Sequence, residues 1–234
     1  MRLLNLLFRT DNVWSFDRLK TYILKLRESN VYPFAENLPQ GLTFPKDFWN
    51  DLIKIFRDTN TDGLERAFSV FWADGEVIFT KVKTGSDRMV KSGGAIQVKY
   101  SQHPTKGYYA RKDLFVDGKL TKKRDVYHKS IPKSIEIQYL FNIHTHPKHT
   151  TKRGDTYYNF FSVQDIKSLI SSKAIITGLV TDKLWILIRT DKSPSSVDDI
   201  PEVLLTPEYV EKKLHMRLYE GDFRMPVNRY QKKK

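Results

Sequence analysis

Residues 135–144, Ile-Glu-Ile-Gln-Tyr-Leu-Phe-Asn-Ile-His, are the strongest strand signal in the chain. Ile, Tyr, Leu and Phe dominate the stretch, and these are the residue types that fit a pleated, half-buried surface. Two further segments read as hairpins. Residues 64–72 and 77–82 flank the turn Ala73-Asp74-Gly75, and residues 174–180 and 184–189 flank Thr181-Asp182-Lys183. Helical spacing appears at Phe16, Leu19, Tyr22, Ile23 and Leu26, with Ser15 available as an N-cap. It recurs after Pro45, where Phe48, Trp49, Leu52, Ile53, Ile55 and Phe56 lead into the turn-rich residues 59–63. Residues 162–171 and 208–218 are predicted as two more helices. Residues 83–133 read as strands with long excursions, one of them at 95–100. This order predicts a mixed sheet flanked by helices, α+β or α/β in class. Pro33, Pro39 and Gly41 punctuate a linker, so the expected divisions are a helical extension over 1–42, a main domain over 43–205, and a C-terminal helix with a basic tail over 206–234.

Hydrophobic residues make up 40% of the 234 and aromatics 13%, enough apolar side chain to close a core. The chain has no cysteine. That excludes a disulfide framework, a thiolate nucleophile and a cysteine-held zinc or iron–sulfur site, leaving His, Asp and Glu as the metal ligands. The apolar opening residues are cut short by Arg9, Asp11 and Asp17, so no membrane span is expected and a cytoplasmic location is. The net charge of +13 is unevenly spread: residues 81–133 carry 14 basic and 4 acidic side chains. Localised basic charge suits an anionic partner, either nucleic acid or an acidic protein face, and it also suits plain solvated loops. Tyr108 and Tyr109 lie within this stretch, and Tyr157 and Tyr158 follow the basic residues Lys148, Lys152 and Arg153; tyrosines so placed stack on bases or pack locally.

The strand over 135–144 runs into His144-Thr145-His146-Pro147. Side chains alternate across a strand, so His144 and His146 share a face at its end, and Pro147 stops regular pairing. Two neutral imidazoles there suit zinc or another borderline divalent ion, as they also suit a surface or hydrogen-bonded pair. The next polar cluster is Ser162-Val163-Gln164-Asp165 at a helix start. By itself it is a capping box. With the histidines, Asp165 would fill three of four tetrahedral positions and leave the fourth to water, the arrangement of catalytic rather than structural zinc.

Here the sequence resembles the JAMM metalloproteases, the catalytic branch of the MPN-domain family, whose pattern is a Glu on an early strand, then His-Ser/Thr-His, then Ser-X-X-Asp. The matching residues are His144-Thr145-His146 and Ser162-Val163-Gln164-Asp165, with Glu65 best placed as the early glutamate. The resemblance spans about residues 44–190. It implies an MPN/JAB-like fold of cytidine-deaminase-like architecture, with zinc held by His144, His146 and Asp165 and its bound water acidified toward a pKa of about 7. It further implies Glu65 as the general base that passes a proton to the leaving amine, and Ser162 as a donor to the oxyanion, worth roughly 2.7–4 kcal/mol. The implied activity is cleavage of a peptide or isopeptide bond next to a ubiquitin-like modifier, and the implied partner is such a protein conjugate.

Alternatives remain at several positions. Glu136 shares strand parity with His144 but lies about 26 Å away along a continuous strand, and Glu76 sits at the far turn of the first hairpin. Fifteen residues separate His146 from Ser162, about twice the family's usual gap, so Asp155 competes with Asp165 as the carboxylate ligand. His149 is a further ligand by residue type, and the inserted loop a flap over the site. The ligand set also accepts iron or cobalt. A catalytically silent MPN scaffold and a basic nucleic-acid-binding module are the alternative functions.

Overall fold

Ser15 ends a short strand β1 (Val13–Ser15) and caps helix α1 (Phe16–Glu28), its Oγ accepting from Arg18 N–H at 3.3 Å. A computed structural model of the chain describes residues 12–106, 109–127, 135–150, 156–157, 159–172, 174–196 and 205–231. The helical spacing read from the sequence is the buried face of α1: Phe16, Leu19, Tyr22, Ile23 and Leu26. Strand β2 (Gly41–Thr43) precedes α2 (Lys46–Asp62). Gly63 stops α2 in the left-handed region at φ 73°, its N–H returning to Thr59 O at 2.8 Å. The first hairpin, β3 (Arg66–Ala73) and β4 (Glu76–Phe79), turns through Asp74 and Gly75, both at positive φ.

Strands β5 (Lys83–Thr84), β6 (Ile96–Gln102), β7 (Tyr109–Val116) and β8 (Lys119–Tyr127) then lead to β9 (Ile137–Thr145), the strand predicted most strongly. The short pair β10 (His149–Thr150) and β11 (Thr156–Tyr157) precedes α3 (Val163–Ser171), followed by the hairpin β12 (Ile176–Val180) and β13 (Leu184–Ile188). The described chain closes with α4 (Pro207–Lys212), β14 (Arg217–Gly221) and β15 (Val227–Arg229).

Among the described residues, ten strands form the main sheet in the order β1-β2-β15-β14-β13-β12-β9-β3-β4, with β5 on β3. The β1–β2 and β9–β12 pairs are parallel and the others antiparallel, so the sheet is mixed and the class α+β. Alternation divides its side chains between two cores. Ile176, Val180, Ile186 and Tyr219 pack with α1 and α2, whereas Leu179, Trp185, Leu187 and Leu218 pack with α3 and α4. Helices therefore cover both faces. Among the described residues no helix is long and apolar enough to cross a membrane.

The structure differs from the sequence-based divisions at both ends. Within 1–42, β1 and β2 belong to the main sheet and α1 packs on β9 through Phe16 and Phe141, whose rings lie 6.2 Å apart. Within 206–234, β14 and β15 lie between β13 and β2. The helix predicted over 208–218 stops at Lys212. His215 takes a positive φ of 50°, and Arg217 onward pairs antiparallel with β13, because strand pairing outweighs local helical spacing there. The β7–β8 hairpin was absent from the sequence prediction. Its signal is Asp117-Gly118, both at positive φ, between two β-rich runs.

One irregularity positions the site. Pairing of β3 with β9 shifts between Val70 and Phe71, so that Val70 faces Phe141 and Phe71 faces Tyr139, with Leu140 bulged out. The β12 ladder begins only at Asn142, leaving the Tyr139 and Leu140 carbonyls beyond its end. Arg27 of α1 donates to both, through Nη1 to Tyr139 O and through Nη2 to Leu140 O at 3.1 Å. The bulge reverses side-chain parity in the preceding residues, so Glu136 no longer shares the face of His144.

Candidate metal centre

The end of β9 is fixed from both sides. Ala67 of β3 stands opposite His144, and Leu179 of β12 stands beside it on the parallel edge. Thr145, between the histidines, points to the opposite face and is fully buried. Its hydroxyl lies 2.7 Å from Thr59 Oγ1 of α2 and accepts from Arg66 N–H at 2.9 Å. The middle residue of His-Thr-His thus ties the strand to α2 and to the start of β3. Thr145→Val is expected to leave both groups without this partner, costing about 1–3 kcal/mol for each. A lowered denaturant midpoint with unchanged metal content would check this.

His144 and His146 are 6% and 3% exposed, and their Nε2 atoms are 3.2 Å apart. Asp165 approaches from the first turn of α3, with Oδ1 3.1 Å from His144 Nε2 and Oδ2 3.5 Å from His146 Nε2. The capping box read from the sequence is present. Asp165 N–H donates to Ser162 Oγ at 3.2 Å, while Ser162 N–H and Oγ–H both donate to Asp165 Oδ2 at 2.8 Å. These bonds aim the carboxylate at the imidazoles. Burial alone would raise the Asp165 pKa, but the imidazoles of His144 and His146 hold it well below the ordinary carboxylate range.

One ligand atom from each of the three residues lies within 4.8 Å of the other two, and the two imidazole nitrogens and two carboxylate oxygens make contacts of 3.1–3.5 Å. Ligands about 2.0–2.1 Å from zinc at tetrahedral angles lie about 3.3–3.4 Å apart, close to the spacings observed. His144, His146 and Asp165 form the group among the described residues that can hold a metal ion.

Glu65, immediately before β3, stands beside this group with Oε1 3.8 Å from His146 Nε2. Its backbone is clamped to the following loop, N–H to Ser86 O at 2.7 Å and carbonyl to Gly85 N–H at 2.9 Å, and its carboxylate accepts from Val90 N–H. Burial pushes its carboxyl up to about 7; the Asp165 charge adds to the rise, while His146 and the Val90 N–H oppose it. A carboxyl that gains or loses a proton near neutrality is suited to acid–base work.

Glu65, His144, His146, Ser162 and Asp165 all line one cavity of about 460 Å³. The rivals lie elsewhere. Glu76 is at the far end of β3, where Lys122, Arg124 and Lys112 hold its carboxylate. Asp155 and the side chain of His149 lie outside the described residues.

The cavity also contains polar residues outside the expected motif. Asn142, two residues before His144 and on its face, accepts from Thr177 Oγ1 at 2.9 Å and donates to Ser92 Oγ at 3.0 Å. The i−2 position was its signal. Nothing local marks Thr177 or the rim residues Arg88 to Ser92, which reach the cavity through the β12 pairing and through the loop after β5. Comparison of the chain with protein-family models, curated proteins and solved structures finds no match.

Proposed function

We propose that this chain is a zinc-dependent hydrolase of the JAMM type, acting on a peptide or isopeptide bond next to a ubiquitin-like modifier in the cytoplasm. The observation that carries the proposal is the buried His144, His146 and Asp165 group with the Glu65 carboxylate beside it in one cavity. Helices on both faces of a mixed sheet, with the histidine pair at the end of an internal strand, accord with an MPN/JAB-like fold. The bond and partner classes come from the motif resemblance.

His144, His146 and Asp165 would hold the ion. When bound, zinc supplies Lewis acidity, lowering the pKa of water in its open position to about 7 and polarising a carbonyl. Glu65 accepts a proton from the attacking water and returns it to the leaving amine, a task served by a carboxyl near neutrality. Ser162 has one hydroxyl proton, directed to Asp165 Oδ2 in the structure. To meet an oxyanion it turns toward the substrate, while the Ser162 backbone N–H, bound to the same oxygen, keeps Asp165 in place.

The test combines elemental analysis after zinc addition and dialysis with cleavage of linear and isopeptide-linked ubiquitin-like conjugates. About one zinc per chain is expected, with cleavage lost to a chelator and restored by zinc. A chain that retains no metal overturns the proposal; one that retains zinc but cleaves no such bond is a scaffold with a metal site.

A further inference from the structure

We propose that the outward face of the β6–β7–β8 sheet binds single-stranded nucleic acid, its tyrosines stacking on bases and its lysines meeting phosphates. This does not rest on the hydrolase assignment. The three strands form a separate antiparallel sheet. Along β7, Ala110, Lys112, Leu114 and Val116 are buried, and Leu114 and Val116 share a core with Ala73 of the first hairpin. Alternation then turns Tyr109, Arg111, Asp113 and Phe115 outward.

The register completes that face. Tyr127 stands opposite Tyr109, Leu120 opposite Phe115, and Lys99 and Lys123 flank Asp113. Tyr127 is 63% exposed and Tyr109 37%, their rings edge to face at 5.1 Å. Cations lie among the rings, with Lys99 Nζ 5.1 Å from the Phe115 centroid and Lys106 Nζ 5.5 Å from that of Tyr109. Lys99, Lys106, Arg111 and Lys123 outnumber the carboxylates Asp113 and Asp125, the latter paired with Arg111 at 3.4 Å. The inward cations are already committed: Lys112 to Asp74, and Lys122 and Arg124 to Glu76.

Exposed rings select the partner. A polyanion without rings would satisfy the lysines but cannot stack on the tyrosines, and a duplex hides its base faces in the stack. A single strand offers phosphates and free base faces together. Tyr109 and Phe115 are six residues apart on one strand, about 20 Å, a span of several nucleotides.

The test is fluorescence anisotropy of the full chain with a labelled oligothymidylate of about 12 nucleotides, a duplex of equal length and polyglutamate, from about 50 to 200 mM salt. Single-strand binding is expected to exceed the other two. Tyr109→Ala with Tyr127→Ala should weaken it about tenfold or more, and Tyr127→Phe should restore it. Lys99→Gln with Lys123→Gln should flatten the slope of log K against log salt by about 1.4. Thermal melting confirms that each variant is folded. No binding by the unaltered chain, equal or tighter binding of duplex or polyglutamate, or unchanged affinity in the folded tyrosine variant each overturns the proposal.

Discussion

Glu65→Gln is expected to lower hydrolysis by about 10²- to 10⁴-fold, the range for loss of a positioned general base, while metal content stays the same. The amide keeps the shape of the carboxyl but cannot take a proton from water. Metal content should persist because the Glu65 carboxylate lies 3.8 Å from His146 Nε2 and outside the His144, His146 and Asp165 group. Glutamine also relieves burial of a carboxyl already pushed up to about 7, so the fold should not weaken. Steady-state cleavage with elemental analysis of the same preparation checks both halves. Full activity in the variant would remove Glu65 from the chemistry, and loss of metal would make it a ligand.

Asp165→Asn is expected to remove the metal and, with it, all measurable hydrolysis. Asparagine lacks the negative charge that balances two imidazoles around a divalent ion, but its side-chain oxygen still accepts from Ser162 N–H, so α3 keeps much of its cap. The loss should therefore appear in metal content, from about one ion per chain to near none after dialysis, with little change in the melting temperature measured in the presence of chelator. Asp165→Ala is the contrast: it should lose the metal and also the acceptor for Ser162 N–H and Oγ–H, about 0.5–1.5 kcal/mol per bond. If Asp165→Asn retained its metal, the third ligand would lie elsewhere, and Asp155 would be the first residue to replace.

The site was legible to the extent that its parts are local. Two-residue alternation put His144 and His146 on one face, and the Ser-X-X-Asp spacing gave the capping box at the start of α3; both depend only on near neighbours in sequence. The choice of Glu65 came from the motif resemblance and the expected order of elements, and the structure brings it to the same cavity. Distance along a straight strand already keeps Glu136 from the histidines. The bulge at Leu140 supplies a second reason that no local pattern announces, since it forms where β3, β9 and Arg27 meet. Asn142 is readable by parity, two residues before His144, whereas Thr177 reaches the cavity only because β12 lies parallel to β9.

The sequence by itself determined the residue types available to a metal site, the long strand that carries the histidine pair, and the helices α1, α2 and α3 to within a few residues. Those features follow from composition, side-chain period and capping chemistry, which act over a few residues. Only the tertiary structure decided that residues 13–15 and 41–43 belong to the main sheet, that residues 217 and 218 open a strand rather than end a helix, and that Glu65, His144, His146 and Asp165 converge. Strand partners and register are set by contacts between residues far apart in the chain. Such contacts override weak local propensity wherever an apolar face is left to bury.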